Sequence, residues 1–273
     1  MKPLNYIFFG TPDIAAETLD VLFSAGYVPK LIVTGPDRPV GRGLHMTPPP
    51  AKVWAQQHDI PVLQPEKITD EFIQDLKSHS PELFIVVAYG KILPESLINI
   101  PSKGTLNIHY SLLPRHRGAS PTEGAILAGD TITGVTIQSM VYQLDAGDIM
   151  ARIETNIDPD ETTPQLRGRL SVLGSELLVE TLNHLDDRLS NKIPQNPEGI
   201  TKCGKIKKTD GEVSKSDDPH TMYTKWRAYQ PWPGIYYFDE HGKRVKITEM
   251  KRFNGVPKIT KIIPEGGKEI QVG

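Results

Sequence analysis

A short segment near the middle of the chain carries two side chains that suit chemistry on a carbonyl group. Asn107 and His109 stand two residues apart at the end of a predicted strand, 105–109, in the run Leu-Asn-Ile-His-Tyr-Ser-Leu-Leu-Pro-Arg. Side chains at this spacing share one face of a strand. An asparagine amide can donate a hydrogen bond to an oxyanion, and histidine titrates near neutral pH. Either residue alone would more often be structural.

A carboxylate follows a later strand. Asp145 comes just after the predicted strand 135–140, in a Leu-Asp-Ala-Gly-Asp sequence that Gly147 closes. A carboxylate there could hydrogen-bond His109 and raise its pKa, or it could transfer protons. For Asp145 taken alone, an ordinary Asp–Gly turn is the favoured interpretation.

A third candidate is the loop that reads Pro-Asp-Arg-Pro-Val-Gly-Arg-Gly at 36–43. Its glycines, Gly41 and Gly43, allow unusual backbone angles, and its arginines, Arg38 and Arg42, offer rigid forks for phosphate. The functional interpretation is a mobile clamp on an anionic ligand, and the alternative is a solvated surface loop.

Strands and helices alternate along the part of the chain that carries these motifs. Predicted strands cover 5–10, 30–34, 62–63, 83–88, 105–109, 135–140 and 149–157, and predicted helices cover 13–25, 48–58, 70–78, 121–128 and 164–189. The alternation predicts a Rossmann-like, doubly wound, mostly parallel sheet, whose ligands bind beyond the carboxyl ends of the strands. The first turn has Pro12 in place of the second glycine of a Gly-x-Gly-x-x-Gly pattern. This weighs against a dinucleotide-binding oxidoreductase.

The C-terminal part differs from the rest in composition. Residues 190–212 are polar and rich in Lys, Pro and Gly, which indicates a linker between a domain at 1–189 and a small, mainly β domain at 213–273. Residues 202–273 contain 15 Lys and Arg against nine Asp and Glu, a net charge of +6, whereas residues 1–201 carry 16 against 24, a net charge of −8. Such asymmetry is expected when one end binds a polyanion. A solvated, lysine-rich surface is the alternative, and charge alone favours it.

Two features bear on location. The one cysteine, Cys203, cannot form an intramolecular disulfide, and the apolar run at 6–9 is too short for a signal-peptide core or a membrane span. We expect a soluble, cytoplasmic monomer that does not bind a membrane.

In this order, the motifs together resemble the folate-dependent formyltransferase family. Its shared signature appears here as Asn107-Ile108-His109, a Ser-Leu-Leu-Pro loop at 111–114 and a Leu-Asp-x-Gly turn at 144–147. The resemblance covers roughly residues 4–250 and is strongest to the members that act on methionyl-tRNA. It includes the opening Gly10-Thr11-Pro12, the loop 36–43, which is similar to the one that enters the tRNA acceptor end, and the segment 227–234, which is similar to the entry to their C-terminal barrel.

The resemblance implies a reaction and its groups. The donor would be 10-formyltetrahydrofolate and the acceptor the α-amine of methionine on initiator methionyl-tRNA, without a metal. Asn107, His109 and Asp145 would be catalytic, and Arg38, Gly41, Arg42 and Gly43 would bind tRNA, with Arg42 the best single candidate. The residues expected to bind folate are Val87, Ala88, Tyr89, Gly90, Ile92, Leu93, Pro94, Ser111, Leu112, Leu113, Pro114 and Asp145. A cis peptide is expected before Pro114, because tight functional loops favour one.

The resemblance implies a C-terminal domain of OB type, and we expect it to be shortened, because few residues follow the segment similar to the family's barrel for its usual last strands. Two alternatives stay open for function. One is a formyltransferase that acts on a nucleotide-linked amino sugar, which would share the catalytic trio but lack the tRNA loop and the barrel entry. The other is an RNA-binding relative that has lost catalysis.

Overall fold

The computed structural model of the protein describes residues 4–41 and 43–272. It forms two compact units: the first comprises residues up to 117, 134–154 and 168–201, and the second comprises 118–133, 155–167 and the residues from 202 onward. The predicted domain boundaries after 189 and 212 remain predictions.

The strands are β1 (Tyr6–Gly10), β2 (Leu31–Val33), β3 (Arg38–Val40), β4 (His45–Thr47), β5 (Val62–Leu63), β6 (Leu83–Val87), β7 (Thr105–His109), β8 (Arg117–Gly118), β9 (Ile132–Ser139), β10 (Ile149–Asn156), β11 (Lys202–Cys203), β12 (Ile235–Phe238), β13 (Arg244–Phe253), β14 (Val256–Pro264) and β15 (Ile270–Gln271). The α-helices are α1 (Asp13–Ser24), α2 (Pro50–Gln57), α3 (Asp70–Ser78), α4 (Glu95–Ile98), α5 (Pro121–Leu127), α6 (Thr163–Asn183), α7 (Leu185–Ser190) and α8 (Pro219–Ala228). None of these helices is long and apolar enough to cross a bilayer.

A seven-stranded sheet has the order β10-β9-β7-β6-β1-β2-β5. The strands from β7 to β5 are parallel, and β9 is antiparallel to β7. The central strands β1 and β6 are buried along their whole length, as expected for continuous apolar runs with helices on both faces. The prediction of a doubly wound, mostly parallel sheet is confirmed.

Helices cover both faces of this sheet. Side chains of α3 pack with Ile7, Phe9 and Val86 on one face, and the α4 residues Leu97 and Ile98 join the same core. On the other face, Gly174 of α6 lies against Ile108, Val135 and Tyr110. Residues 107 and 109 alternate with Ile108, so their side chains turn away from α6. This places them on the face that carries α3 and α4.

Two local predictions change in the structure. The single helix predicted for 164–189 is wrong, because α6 ends at Asn183 and α7 begins at Leu185. The Asn183 side chain accepts a hydrogen bond from the Tyr27 hydroxyl at 3.0 Å, a tertiary contact that helical periodicity cannot reveal. The loop 36–43 contributes β3 to a β3–β4 hairpin. At the start of α3, the Thr69 side chain caps the helix by accepting a hydrogen bond from the Phe72 amide.

The second unit contains a four-stranded antiparallel sheet in the order β12-β13-β14-β15. Asn254 and Gly255 both have positive φ, which suits the tight turn between β13 and β14 that the Asn-Gly pair predicts. In the same unit, α5 packs against α8. The prediction of a mainly β C-terminal part is confirmed.

Candidate active site

The end of β7 brings Asn107 and His109 to one face of the sheet, as predicted from their spacing. Asn107 pairs with Val86 of β6 on one side and with Gln138 of β9 on the other. Asn107 is half-buried, and its side-chain amide makes no hydrogen bond within the part of the chain that the structure describes. Its donor hydrogens are therefore available to a ligand.

His109 is buried, and both ring nitrogens have defined neighbours. Its Nε2 lies 3.0 Å from the backbone oxygen of His116. A carbonyl oxygen can only accept, so Nε2 carries a proton and donates it. The other nitrogen, Nδ1, lies 3.6 Å from Oδ1 of Asp145. Burial lowers the pKa of His109 below its ordinary value, and the charge of Asp145 partly opposes this shift. The resting imidazole is therefore neutral at pH 7, with Nδ1 as its acceptor nitrogen.

Asp145 lies in the β9–β10 loop and has a second side-chain partner that sequence reasoning missed. Nε2 of Gln138 donates to Asp145 Oδ1 at 2.9 Å. Gln138 is buried in β9, and its Oε1 has no partner among the described residues. Gln138 is one of several polar residues in β9, so nothing in the sequence singles it out, and only the β7–β9 register shows that it stands opposite Asn107.

The backbone of the Asp145 loop is also tied down. Nε2 of Gln195 donates to the carbonyl oxygens of Asp145 at 2.9 Å and Gly147 at 2.7 Å. Oε1 of Gln195 accepts from two guanidinium nitrogens of Arg117, at 3.0 and 2.7 Å. Neither Arg117 nor Gln195 is part of the motifs singled out in the sequence.

The Ser111–Pro114 loop is held by Thr136 of β9. The Thr136 hydroxyl donates to the Ser111 carbonyl at 2.7 Å and accepts from the Leu113 amide at 3.1 Å. The Ser111 hydroxyl donates to the Arg115 carbonyl at 2.7 Å. The peptide between Leu113 and Pro114 is cis, as predicted.

A cavity of about 480 Å³ opens beside Asp145. Its lining is mostly apolar and comes from the segments 91–93 and 138–145 together with α4: Lys91, Ile92, Leu93, Ile98, Gln138, Met140, Val141, Tyr142, Gln143, Leu144 and Asp145. Ile92, Tyr142 and Leu144 are 83%, 65% and 67% exposed, which is unusual for large apolar side chains. A shallower pocket of about 360 Å³ is lined by Pro94 and Tyr142 among others.

The predicted folate residues occupy different places in this unit. Ile92, Leu93 and Asp145 line the cavity, whereas the Ser111–Pro114 loop does not. The Tyr89 side chain is buried in the core against Phe9, and its backbone carbonyl accepts a hydrogen bond from the Thr11 hydroxyl. Val87 is buried at the end of β6. Ala88 and Gly90 both have positive φ. Sequence reasoning did not include the cavity walls at 138 and 140–144.

The predicted anion-binding loop has a fixed base. Lys52 Nζ contacts both carboxylate oxygens of Asp37, at 2.9 and 2.8 Å, and Gln64 donates to the same carboxylate. These hydrogen bonds, that of Lys52 first, hold the pKa of Asp37 below its usual range. Arg38 forms an exposed ion pair with Glu66 at 3.1 Å.

At the tip of this loop, Gly41 has φ +74° and Gly43 is exposed, while Arg42 lies outside the described residues. Across the described part of the chain, no group of three His, Cys, Asp or Glu residues is arranged to hold a metal ion.

Comparison with known proteins agrees with the motifs. A family model described as formyl transferase matches residues 4–182, and one described as formyl transferase, C-terminal domain, matches residues 205–273. A methionyl-tRNA formyltransferase from Geotalea uraniireducens is 41% identical over 273 residues, which cover 100% of this chain and 87% of that protein.

Solved structures share the fold at lower identity. A 4-N formyltransferase from Francisella tularensis has a TM-score of 0.70 at 18% identity and covers 91% of this chain and 99% of its own. An N-formyltransferase from Helicobacter canadensis, solved with folinic acid and dTDP-3-aminofucose, has a TM-score of 0.66 at 16% identity. The match covers 98% of this chain and 99% of that protein. The matched models and the full-length relative show that the chain belongs to the formyl transferase family.

Proposed function

We propose that the chain transfers the formyl group of 10-formyltetrahydrofolate to the α-amine of methionine on initiator methionyl-tRNA, for the initiation of translation in the cytoplasm. The curated relatives at about 40% identity carry the name methionyl-tRNA formyltransferase. A monomer remains our expectation. The observation that carries the proposal is that Asn107 and His109 share one sheet face and that Asp145 of the β9–β10 loop lies 3.6 Å from His109 while also lining an apolar cavity.

The resting state of His109 suits the proton transfers of this reaction. The amine attacks the formyl carbon, and the tetrahedral intermediate carries a negative oxygen. Nδ1 of His109 takes a proton from the attacking amine nitrogen. As the bond between the formyl carbon and N10 of the folate breaks, Nδ1 gives this proton to N10. Asp145 stabilises the intermediate imidazolium, since its Oδ1 lies 3.6 Å from Nδ1.

Asn107 would stabilise the oxyanion. Its amide is half-buried next to His109 and lacks a partner among the described residues, so it can donate without first breaking a hydrogen bond. A donor of this kind typically contributes about 3 kcal/mol to lowering the barrier. In this mechanism His109 accepts the proton, the negative charge of Asp145 stabilises the resulting imidazolium, and Asn107 donates a hydrogen bond to the oxyanion.

The 480 Å³ cavity is the proposed folate site. Its volume lies within the range of small-molecule sites, roughly 300–1,000 Å³. The apolar walls at 92–93 and 140–144 suit the flat pterin and benzoyl rings, and the buried Oε1 of Gln138 offers an acceptor that no described residue uses. The neighbouring backbone at 87–90 and the Ser111–Pro114 loop remain predicted folate contacts.

For the acceptor, the β3–β4 hairpin is the proposed tRNA contact, through Arg38, Gly41, Arg42 and Gly43. The ion pair of Arg38 with Glu66 is exposed on both sides, so phosphate can replace the carboxylate at small cost. The positive net charge of residues 202–273 would add sequence-independent affinity for RNA.

A single-turnover assay tests the proposal. Purified protein in excess over methionyl-tRNA and 10-formyltetrahydrofolate should yield formylmethionyl-tRNA, and His109→Ala should slow the step by about 10² to 10⁴, the usual contribution of a general base. Absence of product with the wild-type protein would disprove the proposed function.

The same assay with a nucleotide-linked amino sugar tests the alternative, which rests on the shared fold of the sugar N-formyltransferases. Preference for the sugar would assign the chain to that class. If neither acceptor is formylated but tRNA binds, the chain is an RNA-binding relative without catalysis.

A further inference from the structure

The backbone at Asp145 is in a conformation that needs support. Its φ is +49°, in the left-handed region, which residues other than glycine adopt infrequently, although Asn and Asp do so more readily than most. Two residues later, Gly147 lies so close to the end of β9 that a Cβ would stand 1.6 Å from the Ser139 oxygen. The carboxylate of Asp145 therefore reaches His109 only if the loop is held against β9 in this shape.

Gln195 supplies that support, and its amide has only one chemically allowed orientation. Oε1 accepts from the guanidinium of Arg117, which can only donate, and Nε2 donates to the carbonyls of Asp145 and Gly147, which can only accept. Turning the amide over would break all four hydrogen bonds. A glutamate would keep the pair with arginine but would place an acceptor against two carbonyl oxygens.

Arg117 connects this support to the other member of the catalytic pair. It is buried, and its backbone amide donates to the Thr201 carbonyl at 2.9 Å. The preceding residue, His116, accepts the hydrogen bond from Nε2 of His109. Two consecutive residues thus fix both partners: His116 holds the His109 ring, and Arg117 holds Asp145 through Gln195.

We propose that Gln195, held by Arg117, is a positioning residue that sets the separation between Asp145 and His109. This inference rests on the proposed function, in which Asp145 stabilises the His109 imidazolium. Gln195 acts through the loop backbone and does not contact the reacting atoms.

The test variant is Gln195→Met, which keeps the length of the side chain and removes all four hydrogen bonds. The single-turnover rate should fall on the order of tenfold to a hundredfold, as small misplacements of a catalytic group do. In Asp145→Asn there is no carboxylate left to position. Adding Gln195→Met to that variant should therefore lower the single-turnover rate little further. A double-mutant cycle measures this non-additivity.

Asn5→Leu is the matched control. Nδ2 of Asn5 also donates to two backbone carbonyls of a turn, those of His79 at 3.0 Å and Ser80 at 2.8 Å, with no contact to the site. It should lower thermal stability without changing the rate of folded protein. Gln195→Glu provides a second comparison. Glutamate can still accept from Arg117 but cannot donate to the carbonyls of Asp145 and Gly147, so its single-turnover rate should also be low if that donation positions the loop.

A measurement independent of activity separates the two proposals. Asp145 and His116 are the titratable groups that act on the pKa of His109. Moving Asp145 away should lower that pKa in Gln195→Met, as read by NMR titration with signals assigned from His109→Gln. A wild-type enzyme without activity overturns the proposed function alone. An unchanged His109 pKa, or a rate loss that adds fully to that of Asp145→Asn, overturns the positioning role.

Discussion

At the scale of single residues, the backbone decides which nitrogen of His109 can act as a base. The His116 carbonyl occupies Nε2, so Nδ1 is left to exchange protons, and Asp145 stands on that side. Burial keeps the ring neutral at rest, and the carboxylate stabilises the charge once it forms. In the proposed mechanism, the pair therefore favours a transient imidazolium over a permanent one.

This arrangement predicts a pH dependence. The neutral ring is the proposed active form, so activity should be present above the pKa of His109, which burial holds below its ordinary value, and should be lost as pH falls through it. Asp145→Asn removes the charge that raises this pKa, so the acidic limb of kcat/KM should move to lower pH while kcat falls about 10²-fold or more.

The substrate amine titrates identically with either enzyme, so the difference between the two profiles reports the protein group. An acidic limb of Asp145→Asn at the same pH as wild type, or at higher pH, would contradict the assignment.

At the scale of elements, the β9–β10 loop performs two tasks. Its residues 140–144 form a wall of the cavity, and its residues 145–147 present the carboxylate and make the close approach to β9. Sequence reasoning found Asp145 and the turn but not the wall, because an apolar loop has no periodicity that tells which side chains face a ligand. The exposure of Tyr142 and Leu144 is visible only in the folded chain.

Gly147→Ala tests the close approach. The added Cβ would stand 1.6 Å from the Ser139 oxygen, a backbone atom that cannot rotate away, so the loop must shift. We expect a loss of roughly 1–3 kcal/mol in the free energy of unfolding, as for other overpacked sites, and a fall in kcat of at least tenfold.

Gly168→Ala serves as the matched glycine variant for thermal unfolding and kinetics. A Cβ at Gly168, within α6, meets no atom within 4 Å, and alanine favours helix. It should leave kcat unchanged and stability equal or higher. Wild-type kcat in Gly147→Ala would show that the loop position does not matter for the reaction.

At the scale of the whole molecule, charge separates the two ends of the sequence. Residues 202–273 carry +6 and residues 1–201 carry −8. Charge alone favoured a solvated, lysine-rich surface. Because the proposed acceptor is a polyanion, methionyl-tRNA, we now favour a role for these cations in binding RNA. Within the second unit, exposed cations such as Lys258 on β14 are available for phosphate contacts.

Salt dependence measures this contribution. Raising the salt concentration from about 50 to about 200 mM lowers the entropy gained when counterions are released from the RNA, so KM for methionyl-tRNA should rise steeply, by about 10-fold or more if several phosphates are contacted. The affinity for the folate donor, whose proposed cavity is mostly apolar, should change little. Equal effects of salt on both substrates would indicate a general loss of structure instead of weaker RNA contacts.

The sequence by itself determined the chemical groups and the order of elements. Asn107 and His109 could be placed on one face because a strand alternates with period two, and the apolar strands predicted at 5–10 and 83–88 indicated the buried centre of the sheet. The Ser-Leu-Leu-Pro loop and the Asp–Gly turn were also recognisable, since each is a contiguous motif.

Only the tertiary structure decided how these groups are held. Gln138 meets Asp145 through strand register, and Gln195 reaches the same loop from 50 positions away while accepting from Arg117, 78 positions away. Asn183, at the end of α6, likewise accepts a hydrogen bond from Tyr27, 156 positions away. Hydrogen bonds between such distant residues leave no local pattern, because they arise only when the packed elements bring the donors and acceptors together.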